Sequence, residues 1–309
     1  LSEPGPEGQG FVRAIGFQGI DGHIDGVVAA DPAVGGLTMN VRDFAFEGRI
    51  LQDPGQVEDL DGSIVWSGDR ISVAVETVGL LGATATGSGA VDLGDGDQVE
   101  LTFDGVVESL DLSELRWLEP RLPDARASAR IGVEYGSEGL RATLSDGQVP
   151  INGGNIEGEG TARVVQGGET SFEDVTLAVL GVPVSTLEEF IAPGLPLEGR
   201  LSGTVELSGT MDAMRVISRM DLVEPDLGPT SVEIDGMFHL RGPVGVTGLT
   251  ARLIPLDLGL VNRFTEGLLL DGSAIIDVQV DGRLDSGMRV VAVAVVPSGS
   301  EPSTPGTPS

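Results

Sequence analysis

The chain has 309 residues, a net charge of −30 and 18 basic residues, every one of them arginine. A surface this acidic repels phosphate backbones and anionic headgroups, which excludes nucleic acid as a partner and excludes docking through a polybasic patch. Cysteine is absent, which removes disulfides, thiol catalysis and thiolate metal sites.

Residues 1–10 (LSEPGPEGQG) read as a linker and 297–309 (PSGSEPSTPGTPS) as a disordered tail, because neither can bury a core. The chain begins at Leu1 without a signal-like segment, which reads as a mature form or an excised piece. The ordered region is 11–296. Aromatics make up only 4% of the chain, so the apolar content is mostly Val, Leu, Ile and Ala, which suit pleated surfaces better than a thick interior. The longest dense apolar run, Val290–Val296, has seven residues, enough for a strand and too short to span a bilayer.

Along this region apolar and polar residues alternate. Val99, Leu101 and Phe103 alternate with Glu100, Thr102 and Asp104. Leu201, Val205 and Leu207 alternate with Ser202, Thr204 and Glu206, with Gly203 on the apolar side. Val232, Ile234, Phe238 and Leu240 alternate with Ser231, Glu233, Asp235 and His239. Ile276, Val278 and Val280 alternate with Asp277, Gln279 and Asp281. A period of two predicts strands with one dry and one wet face, the pattern of antiparallel sheets. Turn residues separate the runs, as at Asn152-Gly153-Gly154, where a hairpin needs positive φ.

Three segments depart from this period. DLSELRWL (111–118), STLEEFI (185–191) and DLGLVNRF (257–264) carry apolar residues at helical spacing. The first two open with a capping-box pattern, Asp111 with Glu114 and Ser185 with Glu188. Their first residues lie 74 and 72 residues apart, a repeat of about 73. Leu197-Glu198-Gly199, Gly209 and Met214-Arg215-Val216 follow the second helix. Leu270-Asp271-Gly272, Gly282 and Met288-Arg289-Val290 follow the third. Each unit is expected to hold one short helix and four to six strands.

A search for chemistry finds little. There is no Gly-x-Ser-x-Gly elbow and no P-loop. His23 and His239 are far apart in sequence, and His239 lies on a polar strand face. Asp92, Asp95 and Asp97 resemble part of a calcium loop but lack the glutamate at its twelfth position, so a solvated turn is the better reading. Glu188 and Glu189 suit the positive end of a helix better than acid–base work. Trp66 and Trp117 read as packing anchors. No catalytic residue, metal ligand or cofactor is expected.

The motif of a short capped helix, then Leu-Pro or Leu-x-Gly, then alternating Gly and apolar residues resembles the AsmA-like and TamB proteins of Gram-negative envelopes. IAPGLPLEGRLSGTVELSG (191–209) and the segment 271–290 carry the resemblance best, and GFQGIDGHIDGVVAADPAVGG (16–36) has the same character. The family's N-terminal membrane helix and TamB's C-terminal barrel-docking region have no counterpart here. The resemblance implies an all-β fold with a few short helices: an elongated, mostly antiparallel, U-shaped repeating β-groove (a β-taco) with an apolar inner face. It implies a non-catalytic segment that shields phospholipid acyl chains across the periplasm. It also implies membrane-anchored parts outside this chain, and an outer-membrane barrel as a partner. The expected lining is Leu101, Phe103, Leu201, Val205, Leu207, Val232, Ile234, Phe238, Ile276, Val278 and Val280. The alternatives are a structural surface β-protein, such as a solenoid passenger or adhesin, and an outer-membrane protein assembly factor.

Overall fold

The computed structural model describes residues 15–27, 36–50, 53–80, 83–94, 99–116, 122–165, 170–186, 197–240, 244–263, 270–283 and 285–296. The segments 1–10 and 297–309, Asp95, Asp97, Trp117, Glu188 and Glu189 lie outside them. The expectation of a nearly all-antiparallel β fold with a few short helices is met. Within each of the two units described next, strand order equals chain order, an antiparallel meander.

The chain divides into two compact units, Leu1–Val182 with Leu207–Thr210, and Pro183–Glu206 with Met211–Ser309. The first holds β1 (Ile15–Val27), β2 (Gly36–Ile50), β3 (Asp53–Ser67), β4 (Arg70–Leu80), β5 (Ala83–Asp92), β6 (Glu100–Asp111), β7 (Arg126–Gly136), β8 (Gly139–Ile151), β9 (Gly154–Val164) and β10 (Thr170–Pro183). The second is built on β11 (Arg200–Thr210), β12 (Ala213–Val223), β13 (Thr230–His239), β14 (Gly245–Asp257), β15 (Ser273–Arg283) and β16 (Gly287–Val295).

Local chemistry explains the turns. Asn152 and Gly153 join β8 to β9 with φ of 47° and 75°, the left-handed pair that a two-residue hairpin needs and that Asn and Gly tolerate. Helical turns follow β6 (Leu112–Leu115, a 3₁₀ turn) and β14 (Leu258–Asn262), and Val184–Thr186 after β10 is also helical, so from β6 to β14 a helix follows every fourth strand. Each entry is fixed in the same way. The first helical N–H donates across to the chain entering the next strand: Leu112 to Ala125, Val184 to Gly199 and Leu258 to Gly272, each at 2.9 Å. Asp111 and Asp257 cap their helices by accepting from Ser113 N (2.9 Å) and Gly259 N (2.8 Å). The expected cap at Ser185 is corrected: the helix already includes Val184, so Ser185 stands inside the first turn.

Ser113 also donates its hydroxyl to Asp111 at 2.6 Å, and this bond, with the Ser113 N–H, holds the Asp111 carboxyl below the usual aspartate range. A depressed pKa in the folded chain favours folding above the unfolded value of about 3.9. That contribution is lost as pH falls through the lower folded value. Asp111→Asn is therefore expected to flatten the acid limb of a stability-versus-pH curve, measured by urea unfolding between pH 2 and pH 6.

Candidate functional site

Cross-strand register turns the alternation into continuous rows. In the second unit one face carries Met220–Val232–Leu253–Ile276–Ala294, each residue opposite the next across β12 to β16. Beside it runs Ser218–Ile234–Ala251–Val278–Ala292. Phe238 pairs with Met214 on the same face, and Val280 pairs with Leu249. The opposite face carries Arg219–Glu233–Arg252–Asp277, a ladder of alternating sign with contacts of 2.9 Å (Arg219–Glu233) and 3.3 Å (Arg252–Asp277). These exposed pairs add little stability. A one-residue slip would set like charges and apolar groups wrongly, so they fix register.

In the first unit the equivalent face joins Val91–Leu101–Tyr135–Leu140–Val164 and Gly89–Phe103–Val133–Ala142–Ala162. The Phe103 ring lies against the backbone of Gly87, Gly89 and Gly105. A Cβ on Gly87 or Gly105 would come within 2.7 Å of it. Glycines here give up side-chain packing, and the ring covers the backbone they leave bare.

All eleven predicted lining residues are half-buried: Leu101, Phe103, Leu201, Val205, Leu207, Val232, Ile234, Phe238, Ile276, Val278 and Val280. Full burial sits elsewhere. Val184, Leu222, Leu256 and Leu260 form a core cluster at the helix-bearing margin of the second unit, with Leu197, Leu201, Leu253 and Ile276 against it. At the opposite margin Met214 and Val246 are buried. Between the margins, Val232, Ile234, Ala251 and Val278 keep part of their surface open.

The buried margin is tied by a charge that the sequence did not announce. The Glu224 side chain is 2% exposed and pairs with Arg263 at 2.7 Å. Its other oxygen accepts from Glu198 N (2.9 Å) and Gly199 N (2.8 Å). One carboxylate thus joins the end of β12, the approach to β11 and the helix after β14.

A concavity of about 720 Å³ lies over the charged face, lined by Glu206, Arg219, Glu233, Asp235, Arg252 and Asp277 among others. Of the eleven predicted residues only Ile234 and Val278 border it. It is therefore not the apolar groove expected from the resemblance. Twist and bulges set which side of a sheet is hollow, and alternation does not. Trp66 is corrected as a packing anchor. It is 47% exposed, and its indole N–H donates to Gly68 O at 2.8 Å. His239 contacts the carbonyl of Asp212 and the Thr247 hydroxyl, a structural bridge between neighbouring strands and turns. Among the described residues no group of three or more His, Cys, Asp or Glu is placed to hold a metal. No described helix is long and apolar enough to cross a membrane. No protein-family model, curated protein or solved structure matches the chain.

Proposed function

We propose that the apolar sheet face holds phospholipid acyl chains, and that the chain is a non-catalytic lipid-transport segment of the AsmA-like and TamB type, working in the periplasm of a Gram-negative envelope. The observation that carries this reading is the set of rows crossing β12 to β16, apolar but for Ser218, whose central residues Val232, Ile234, Ala251 and Val278 are only half-buried. A folded chain that leaves such rows open gains from anything apolar laid along them. Burial of an acyl chain is worth about 0.8 kcal/mol per CH₂, so a lipid with about 30 methylenes would forgo roughly 24 kcal/mol in bare water. Aliphatic rows without a specific polar pocket suit a cargo that slides. A membrane anchor and a barrel partner belong to this proposal. The charged concavity favours one alternative, a structural β-protein that binds through its polar surface.

The test is uptake of fluorescent phosphatidylethanolamine from neutral vesicles by purified protein. Uptake is expected in the wild type and is expected to fall at least about tenfold in Ile234→Asp and Val278→Asp, which set a charge against an acyl chain. Circular dichroism checks that both variants fold. Equal uptake by the folded variants, or none by the wild type, counts against the reading.

A further inference from the structure

On the polar face of the second unit, charge alternates in sign across the strands, Arg219–Glu233–Arg252–Asp277. The first unit departs from that rule. Its polar row Thr102–Glu134–Arg141–Arg163–Ser171 crosses β6 to β10, so Arg141 on β8 stands directly opposite Arg163 on β9. Residues so placed share a face with Cβ atoms about 5 Å apart, and like charges there oppose folding.

The nearest carboxylates do not resolve the conflict. Glu134 lies 3.7 Å from Arg141, and Glu173 lies 3.7 Å from Arg163, beyond hydrogen-bond distance. Arg219 and Arg215, by contrast, sit 2.9 and 3.2 Å from their partners. Neither Arg141 nor Arg163 makes a side-chain hydrogen bond among the described residues. Each guanidinium therefore has five N–H donors left for water or a ligand. A concavity of about 390 Å³ lies on this face, lined by Arg141, Arg163, Glu100, Glu134 and Glu138 together with the β7–β8 turn.

Two features of the lining select a ligand. Neighbouring guanidiniums offer N–H forks that match the oxygens of a phosphate. Three carboxylates against two arginines leave the lining net negative, so a bare anion is disfavoured and an ammonium on the same molecule is attracted. We propose that this concavity binds a small zwitterion, a phosphate ester that carries a primary amine. The phosphate bridges Arg141 and Arg163, and the ammonium lies against Glu134. With strands about 4.8 Å apart, the midpoint of the arginine pair is roughly 7 Å from Glu134 at the backbone, a span that these long side chains shorten to the size of phosphoethanolamine. The site is on the face opposite Leu101–Tyr135–Leu140–Val164, so it stands whether or not the apolar rows hold acyl chains.

The test is titration of phosphoethanolamine into the full chain, followed through the arginine Nε–Hε resonances. Those of Arg141 and Arg163 are expected to shift and saturate. Inorganic phosphate is expected to bind at least about fivefold more weakly, because it leaves the carboxylates without a cation. Arg163→Gln is expected to weaken phosphoethanolamine binding at least about tenfold. Glu134→Gln is expected to weaken phosphoethanolamine about fivefold and to tighten inorganic phosphate, an inversion that a purely structural role does not give. Circular dichroism checks that both variants fold, and Arg163→Gln, which removes the like-charge contact, is expected not to lower the urea midpoint. Phosphatidylethanolamine vesicles identify the source of the group: the same resonances respond if it is a lipid headgroup and stay in place if it is a soluble ester. Arginine resonances indifferent to phosphoethanolamine, equal binding by folded Arg163→Gln, or inorganic phosphate bound as tightly as phosphoethanolamine would overturn the proposal.

Discussion

Glu224→Ala is expected to lower the unfolding free energy by about 3–5 kcal/mol, the range for breaking a buried ion pair by removing one partner. Three interactions fail together. Arg263 loses the carboxylate 2.7 Å away, and the N–H groups of Glu198 and Gly199 lose the acceptor that satisfied them. Gly199 and Glu224 are buried, so water replaces the lost bonds poorly. The helix after β14 and the entry to β11 are both held by this carboxylate, so the loss reaches beyond one contact. Glu198→Ala, which removes an exposed side chain beside the same site, is expected to change stability by less than about 0.5 kcal/mol. Urea unfolding of the two variants at neutral pH separates a buried latch from general loss of acidity.

Leu256→Ala is expected to cost about 3 kcal/mol, whereas Val278→Ala costs about 1 kcal/mol or less. Leu256 is 4% exposed and packs with Val184, Leu222 and Leu260 in the helix-side cluster, so truncation leaves a cavity. Val278 lies in the middle of the apolar face and is only half-buried, so truncation removes less contact and leaves no enclosed void. The contrast distinguishes a sheet sealed at its margin from a closed sandwich. In a sandwich the central valine would be a core residue and its truncation would rival that of Leu256. Chemical denaturation of both variants in lipid-free protein gives the comparison.

Much of this architecture was legible because strands have a period of two. The alternation around Ile234 and Val278 assigned both residues to one face, and register carries that face across the neighbouring strands. The cap at Asp111 was legible because a carboxylate ahead of an apolar run has one obvious use there. Glu224 was not legible. In a chain with 48 acidic residues a glutamate before a proline reads as solvated. Its burial depends on Arg263, 39 residues later. The packing of the Phe103 ring likewise depends on register, which brings Gly87 and Gly89 against it from the neighbouring strand. Alternation names a face without fixing its curvature, which is why the charged concavity was missed. The Val290–Val296 run was visible as a strand, but its pairing with β15 came only from the topology.

Lipid held on the half-buried apolar face is the proposal on which the functional reading rests. Native mass spectrometry of protein released from detergent-free, neutral-lipid nanodiscs tests it most directly. Bound phospholipid is expected on the wild-type chain, with adducts lost in Val278→Asp. A chain that emerges lipid-free, and stays so after exposure to phospholipid vesicles, would contradict it.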